Sequence, residues 1–439
     1  MTRETPDREP MFKKTSIDTI LPPELLISVF RVIYLDAIAS IPYPPRSQRP
    51  PLDRHPLVEV MCVCRIWYRF VEETRSFWTF VVIRTSPGGH QLGMTASTED
   101  KSGIVELERT LARSGTLPFA VNVASGRLAD LRLVECLYRE AYRLSTLNII
   151  ATYDNPHIWS SHVDHLSERS FPTLKRLTVG DVSTRRTNFP GSFQILVHAP
   201  ELQSLYCHYH VVFPFYPLRL TSLSLTGIDV HSFEALLSSD SFHLPQLIDL
   251  HLDFSDTALF LSRFSTPSLQ KLAVIERMPL IFGPRPLSQY PQLEELQWSE
   301  AMFTGPTLAT LLPQCPNVIR FANYLSMKES NIDFRLITTL PTVIGLLETN
   351  GAIAEARQEI LPKLEEVRLA IASCQEVEAL VKGIPSIKRV RIMKIQSENE
   401  EEEDRQKIAR LLEKVEVIVK TDPWSNSEDT WFNNTVGIE

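Results

Sequence analysis

Two groups of histidines are the first places in this sequence to look for chemistry. His157, His162 and His165 are spaced like metal ligands, in a segment that reads as a loop entering a helix. Cys207, His208 and His210 follow one another at the end of an expected strand, where successive side chains point to opposite faces. A structural zinc site needs four converging donors, and neither group supplies them. Carboxylates are plentiful, but none forms an acid/base pair in a pocket-forming pattern. The sequence also shows no phosphate-cradling glycine loop, nucleophile elbow, zinc-protease helix motif or dinucleotide fingerprint. The expectation is a non-enzyme without metal or cofactor, whose chemistry is binding.

Binding needs a surface, and here the surface comes from a phrase the chain repeats. Pro-x-Leu-x-x-Leu-x-apolar occurs as FPTLKRLTV (Phe171–Val179), APELQSLYC (Ala199–Cys207), LPQLIDLHL (Leu244–Leu252) and TPSLQKLAV (Thr266–Val274). It returns as YPQLEELQW (Tyr290–Trp298), CPNVIRFAN (Cys315–Asn323), LPKLEEVRL (Leu361–Leu369) and IPSIKRVRI (Ile384–Ile392), with a variant RLTSLSL at Arg219–Leu225. The first apolar positions are Leu174, Leu202, Leu220, Leu247, Leu269, Leu293, Val318, Leu364 and Ile387. Most steps lie near the roughly 20–29 residues of a leucine-rich repeat, and these units resemble irregular repeats of that kind. Between Val318 and Leu364 the step is about two periods, and LPTVIGLLE (Leu340–Glu348) reads either as the missing unit or as helix.

The last two apolar residues of each phrase are two apart, so on a strand they share a face and enter the core. The proline ahead of them lacks an N–H and is expected to end a preceding helix. The residues beside the apolar pair point the other way, toward solvent on the concave side of a solenoid. Among them Arg176, Tyr206, Asp249, His251, Glu295, Gln297, Arg320, Arg368, Arg389 and Arg391 are the candidate partner-binding residues. Their alternating sign points to a protein partner rather than to phosphate, although solvated polar decoration gives the same pattern. One repeat cannot bury its apolar face alone, whereas stacked neighbours can. Counted from Phe80, about a dozen parallel strands are expected, a sheet roughly 55–60 Å long.

Upstream, Ile20–Leu35 carries Leu25, Leu26, Val29, Phe30 and Ile33 as one broad apolar helical stripe, with Pro22 and Pro23 at the helix start. Asp36–Pro56 is rich in proline and reads as a loop, Leu57–Glu73 as a second helix and Ser76–Ile83 as a strand. After a polar loop at Ser86–Gly103, a helix over Ile104–Gly115 is expected to stop at Gly115. Strand, helix and strand then follow at Leu117–Val123, Gly126–Arg143 and Ser145–Ile150. At the other end, an acidic run (Glu400–Asp404) precedes a closing strand at Val415–Lys420.

The chain has 439 residues and a net charge of −8, which argues against nucleic acid as a partner. Its six cysteines form no framework, as suits a reducing compartment. It begins without an apolar signal segment, and no apolar run reaches the ~18 residues of a membrane span. These bounds predict a cytoplasmic or nuclear protein away from membranes.

LPPELL at Leu21–Leu26, VCRIWYRFV at Val63–Val71 and the Phe77–Trp78 pair together resemble an F-box, interrupted by the proline-rich insertion. With the repeats behind it, the layout is similar to fungal F-box-like proteins. The resemblance implies an α/β chain: a small helical F-box-like module at 17–79 with an insertion at 36–56, then a parallel leucine-rich-repeat solenoid, or horseshoe, at 80–420. Polar tails would occupy 1–16 and 421–439. It further implies that Leu21, Pro22, Pro23, Glu24, Leu25, Leu26, Val29, Cys64 and Trp67 dock the Skp-type adaptor of a cullin ubiquitin ligase of the SCF type. The repeats would then hold a protein substrate. The alternative is a repeat scaffold whose helices merely cap the solenoid and bind no adaptor; an exposed apolar face at the Leu-Pro-Pro-Glu-Leu end separates the two.

Overall fold

The computed structural model describes residues 21–39, 55–85, 100–125, 135–137, 139–151, 170–181, 195–196, 198–207, 211–212, 219–228, 242–254, 264–276, 290–300, 315–323, 363–372, 381, 386–395 and 416–419. The segments holding His157, His162, His165, His208, His210, LPTVIGLLE, the proline-rich insertion after Ala39 and the acidic run lie outside them.

Each repeat is built from a turn and a strand. Proline occupies the second position of a turn closed by an amide–carbonyl bond three residues apart: Leu174 to Phe171, Leu202 to Ala199, Leu247 to Leu244, Leu269 to Thr266, Leu293 to Tyr290 and Val318 to Cys315, all at 3.1–3.2 Å. The fixed φ of proline suits that position. Its role is therefore to set the turn, where the sequence suggested that it ends a helix. The residue opening each of these turns and the apolar residue closing it are both buried. Between turn and strand, one carbonyl per repeat accepts two amides from the next. Lys175 accepts from Gln203 and Ser204, Gln203 from Thr221 and Ser222, Thr221 from Ile248 and Asp249, and the chain of bonds continues to Glu365 with Lys388 and Arg389.

The strands stack parallel. β1 (Phe80–Thr85), β2 (Phe119–Ser125), β3 (Leu144–Ala151), β4 (Arg176–Asp181), β6 (Ser204–Cys207), β8 (Ser222–Ile228), β10 (Asp249–Phe254), β12 (Lys271–Glu276), β13 (Glu295–Glu300), β14 (Arg320–Asn323), β15 (Glu366–Ala372), β16 (Arg389–Ile395) and β17 (Glu416–Val419) form one 13-stranded sheet in that order. At ~4.8 Å per strand it is about 58 Å long. The short pairs β5 (Ile195–Leu196) with β7 (Val211–Val212), and β9 (Phe242–His243) with β11 (Phe264–Ser265), make two small parallel sheets beside it. β14 pairs directly with β15, so no strand of the main sheet lies between these two. Leu177, Leu205, Leu223, Leu250, Leu272, Leu296, Phe321, Val367 and Val390 form one continuous buried column, and the turn-closing residues from Leu174 to Ile387 form a second.

The helices are α1 (Pro23–Ala39), α2 (Val58–Met61), α3 (Arg65–Glu73) and α4 (Asp100–Ser114). Several boundaries differ from the sequence reading. α1 continues past Leu35, since no proline follows until Pro42. The expected helix over Leu57–Glu73 is two helices, because Cys64 takes an extended backbone and caps α3, its sulfur accepting from the Trp67 amide at 3.5 Å. Arg75–Trp78 is a 3-10 turn ahead of β1 rather than strand. α4 begins at Asp100, inside the expected loop, and stops as expected where Gly115 has φ +61°. Sequence periodicity also missed the buried Arg143. Its guanidinium lies over the Phe119 ring at 4.8 Å and donates to the carbonyls of Leu111 and Leu117, the Ser114 hydroxyl and Glu140. It thus satisfies the carbonyl end of α4.

The two parts of a repeat differ in how much they stabilise. Leu269→Ala opens a cavity in the continuous core and is expected to cost about 3 kcal/mol. Pro267→Ala, at the exposed turn position, is expected to cost about 1 kcal/mol or less. Urea unfolding of the two variants checks that order.

Candidate functional site

α1 carries two apolar stripes side by side. Leu26, Phe30 and Tyr34, spaced four apart, are buried with Leu57, Val60, Val71, Phe77, Trp78 and Phe80. Leu25, Val29 and Val32, at the i, i+4, i+7 spacing of a helix face, are 52, 47 and 68 % exposed. Ile33 and Leu35 on α1, with Val63 just ahead of the α3 cap and Ile66 in the first turn of α3, are exposed as well. The single broad stripe expected from the sequence is therefore split, one half spent on the core and the other left bare. Of the residues implied for docking, Pro22, Pro23, Glu24, Leu25 and Val29 are exposed, and Leu21 is partly buried against the core. Leu26 is only 2 % exposed and belongs to the interior. Cys64 serves as the α3 cap, and the Trp67 ring stands edge-on to Phe30 at 4.9 Å. Val32, Val63 and Ile66 were not among those implied; the i+7 step from Leu25 was the available signal for Val32.

The rear of the helical module is joined to the solenoid. The Trp78 ring is fully buried and its Nε1 donates to the Val71 carbonyl at 2.9 Å. Arg113 of α4 lies over that ring at 4.2 Å and pairs with Glu72 of α3 at 2.8 Å. The Ala120 amide of β2 donates to Thr79 at 2.7 Å, and Ala120 packs on the module's core. His55, where the chain returns from the insertion, packs on Trp78 at 4.2 Å. Its Nδ1 accepts from the Leu57 amide at 3.1 Å, so Nε2 carries the proton and donates to the Phe77 carbonyl at 2.9 Å. Burial lowers its pKa from 6.5 to about 4, with a smaller contribution of the same sign from Arg113.

On the polar face of the sheet, strand pairing aligns the residues beside the core into two columns. The first reads Arg176, Ser204, Ser222, Asp249, Lys271, Glu295, Arg320, Glu366, Arg389 and Glu416. The second reads Asn122, Asn148, Thr178, Tyr206, Ser224, His251, Ala273, Gln297, Ala322, Arg368, Arg391 and Ile418. All ten sequence candidates lie in these columns. This face is less open to solvent than expected, for Asn148, Thr178, Ser224, Glu295, Gln297 and Glu366 are buried. In-register strands place equivalent side chains ~4.8 Å apart, where longer neighbours lie over shorter ones.

The pairing is specific. Asn148 donates to Asn122 at 2.5 Å, and the Ser224 hydroxyl bonds His251 Nδ1 at 2.8 Å. Glu295 pairs with Arg320 and, at 3.8 Å, with Lys271. Burial pushes the Asp249 carboxyl above its ordinary pKa, while Lys271 pulls the other way. Glu366, which the sequence reading passed over, meets Arg368 at 2.8 Å, Arg391 at 2.9 Å and Arg389 at 3.7 Å. It occupies the same place in LPKLEEVRL as Arg176 does in FPTLKRLTV, so the repeat frame alone marked it. Among the described residues no group of three His, Cys, Asp or Glu could hold a metal ion, and no helix is long and apolar enough to cross a membrane.

Residues 19–84 match the F-box-like family. The chain thus has an F-box-like domain at its N-terminal end, followed by a parallel solenoid of repeating strands consistent with leucine-rich repeats. No curated protein matches the chain.

His55 makes the F-box-like domain sensitive to acid. The folded state disfavours its protonation, so the stability it contributes is complete above about pH 6.5 and is lost as the pH falls toward about 4. Its full loss is on the order of 3 kcal/mol. Urea midpoints at about pH 7 and about pH 5 are expected to differ more for the wild type than for His55→Gln.

Proposed function

We propose that this chain is the substrate-recognition subunit of an SCF-type ubiquitin ligase. The observation that carries the reading is the bare apolar stripe of α1. Leu25, Val29, Val32 and Ile33 lie on the F-box-like domain and turn away from its core, with Val63 and Ile66 exposed on the same domain. A contiguous apolar surface of this kind is costly to leave in water and marks a protein-binding site. An F-box-like domain makes the Skp-type adaptor its partner, and through it a cullin ligase. The repeats offer the protein target a long polar face with its own charge pattern.

Such a subunit needs no catalytic group. It holds the target close to a ubiquitin-charged enzyme, which converts an encounter in solution into one at high effective concentration. The Arg113–Trp78–Glu72 junction supports this role, because a receptor that positions its target needs its two ends held together. On this reading the protein works in the cytoplasm, the nucleus or both. The same junction favours the second reading, a scaffold whose helical module caps the solenoid and binds no adaptor.

Co-expression with a Skp-type adaptor and pull-down separates the two. The wild type is expected to form a stoichiometric complex. Leu25→Asp/Val29→Asp, which changes only exposed positions, is expected to keep its circular dichroism and melting temperature. It should lose about 3 kcal/mol or more of binding, at least about a hundredfold in affinity. Absence of a wild-type complex at micromolar concentration establishes the scaffold reading instead.

A further inference from the structure

Among the described cysteines, only Cys62 and Cys64 reach solvent. Cys136, Cys207 and Cys315 are buried, whereas Cys62 is exposed and Cys64 half-buried. The two thiols stand one residue apart, and each marks a helix end. Cys62 closes α2, its amide donating to the carbonyls of Val58 and Glu59 at 3.1 and 3.2 Å. Cys64 opens α3, where its extended backbone turns the sulfur toward the Trp67 amide at 3.5 Å. Between them Val63 is exposed, and so is Ile66 in the first turn of α3. Residues two apart in a chain have Cα atoms within about 7 Å of each other, which is the reach of a disulfide.

We propose that Cys62 and Cys64 are an oxidation site: they close into a disulfide by exchange with a small-molecule disulfide, and closing it releases the start of α3. The Cys62 sulfur, the more open of the two, attacks the small disulfide, and one small thiol leaves with the proton that Cys62 gives up. Cys64 then attacks the Cys62 sulfur of the mixed disulfide, and the second small thiol leaves with the proton of Cys64. Two protein thiols are oxidised for one disulfide reduced. The new bond turns the Cys64 sulfur back along the chain, away from the Trp67 amide, so α3 loses the acceptor that caps it. Val63 and Ile66 shift with that first turn. Thiols of a reducing compartment reopen the bond, which makes it a transient state rather than a structural link. The inference deepens the receptor reading by placing the apolar docking surface under redox control. Only that consequence rests on the reading, since the disulfide needs no adaptor to form.

The test treats the purified full chain with oxidised glutathione, quenches it in acid and weighs the peptide that holds both residues. This peptide is expected to be lighter than its untreated form by two hydrogens and to regain them in reduced glutathione. Hydrogen exchange at the start of α3 is expected to quicken by about fivefold, the worth of a helix cap. Cys62→Ser removes an exposed thiol, leaves the α3 cap in place and is expected to show neither change. In the adaptor pull-down, the oxidised wild type is expected to bind about fivefold more weakly than the reduced, and Cys62→Ser equally in both states. A peptide that keeps its mass, one that only carries glutathione, or a link between two chains overturns the proposal. So does a disulfide that leaves exchange in α3 unchanged. If the reduced wild type binds no adaptor, the receptor reading falls, while mass and exchange still decide the site.

Discussion

The structure depends on one constraint: each repeat must enter the sheet in the register of the one before it. The carbonyl between turn and strand, such as Lys175 for Gln203 and Ser204, accepts two amides of its neighbour and admits no slip. A one-residue shift would turn every core leucine toward solvent and every polar residue inward. Proline contributes by fixing the turn just ahead of this bond, so that Leu174, Leu202 and their equivalents close it from inside the core. The length of chain between neighbouring strands can then differ, as between Asn323 and Glu366, while the sheet runs on without a gap.

The N-terminal module solves a different problem with the same kind of residue. A small domain has few apolar side chains, and one helix must serve both its core and its partner. α1 does this by rotation: Leu26, Phe30 and Tyr34 cover one side, and Leu25, Val29 and Val32 the side next to it. Trp78 sits behind both, bonded to Val71, packed by His55 and covered by Arg113 from the first helix of the solenoid region. The core behind the exposed stripe is therefore joined to the first strands by packed aromatic and charged groups.

Much of this was legible in the sequence because it is periodic. The turn-closing positions from Leu174 to Ile387, the closing strand at β17 and the stop at Gly115 follow from spacing and from glycine chemistry. What was not legible depends on contacts between distant segments. Nothing in the local pattern separates Leu26 from Leu25, since both fit an apolar helical stripe and only Phe77 and Trp78, some fifty residues on, decide which is covered. The same holds for Arg143, which reads as a surface arginine until the end of α4 is placed beside it. The thiol of Cys64 split an expected helix because capping by sulfur leaves no distinct signature in composition.

Charge on the polar face needs to be read with the register in hand. Alternation along the sequence suggested a protein partner, yet in-register stacking demands alternation for its own sake. A column of identical charges ~4.8 Å apart would repel at every step. Lys271, Glu295 and Arg320 satisfy one another and so carry no information about a ligand. Buried Glu366 likewise gathers Arg368, Arg389 and Arg391, so the in-register opposition of Arg368 and Arg391 is bridged by a carboxylate of the sheet itself.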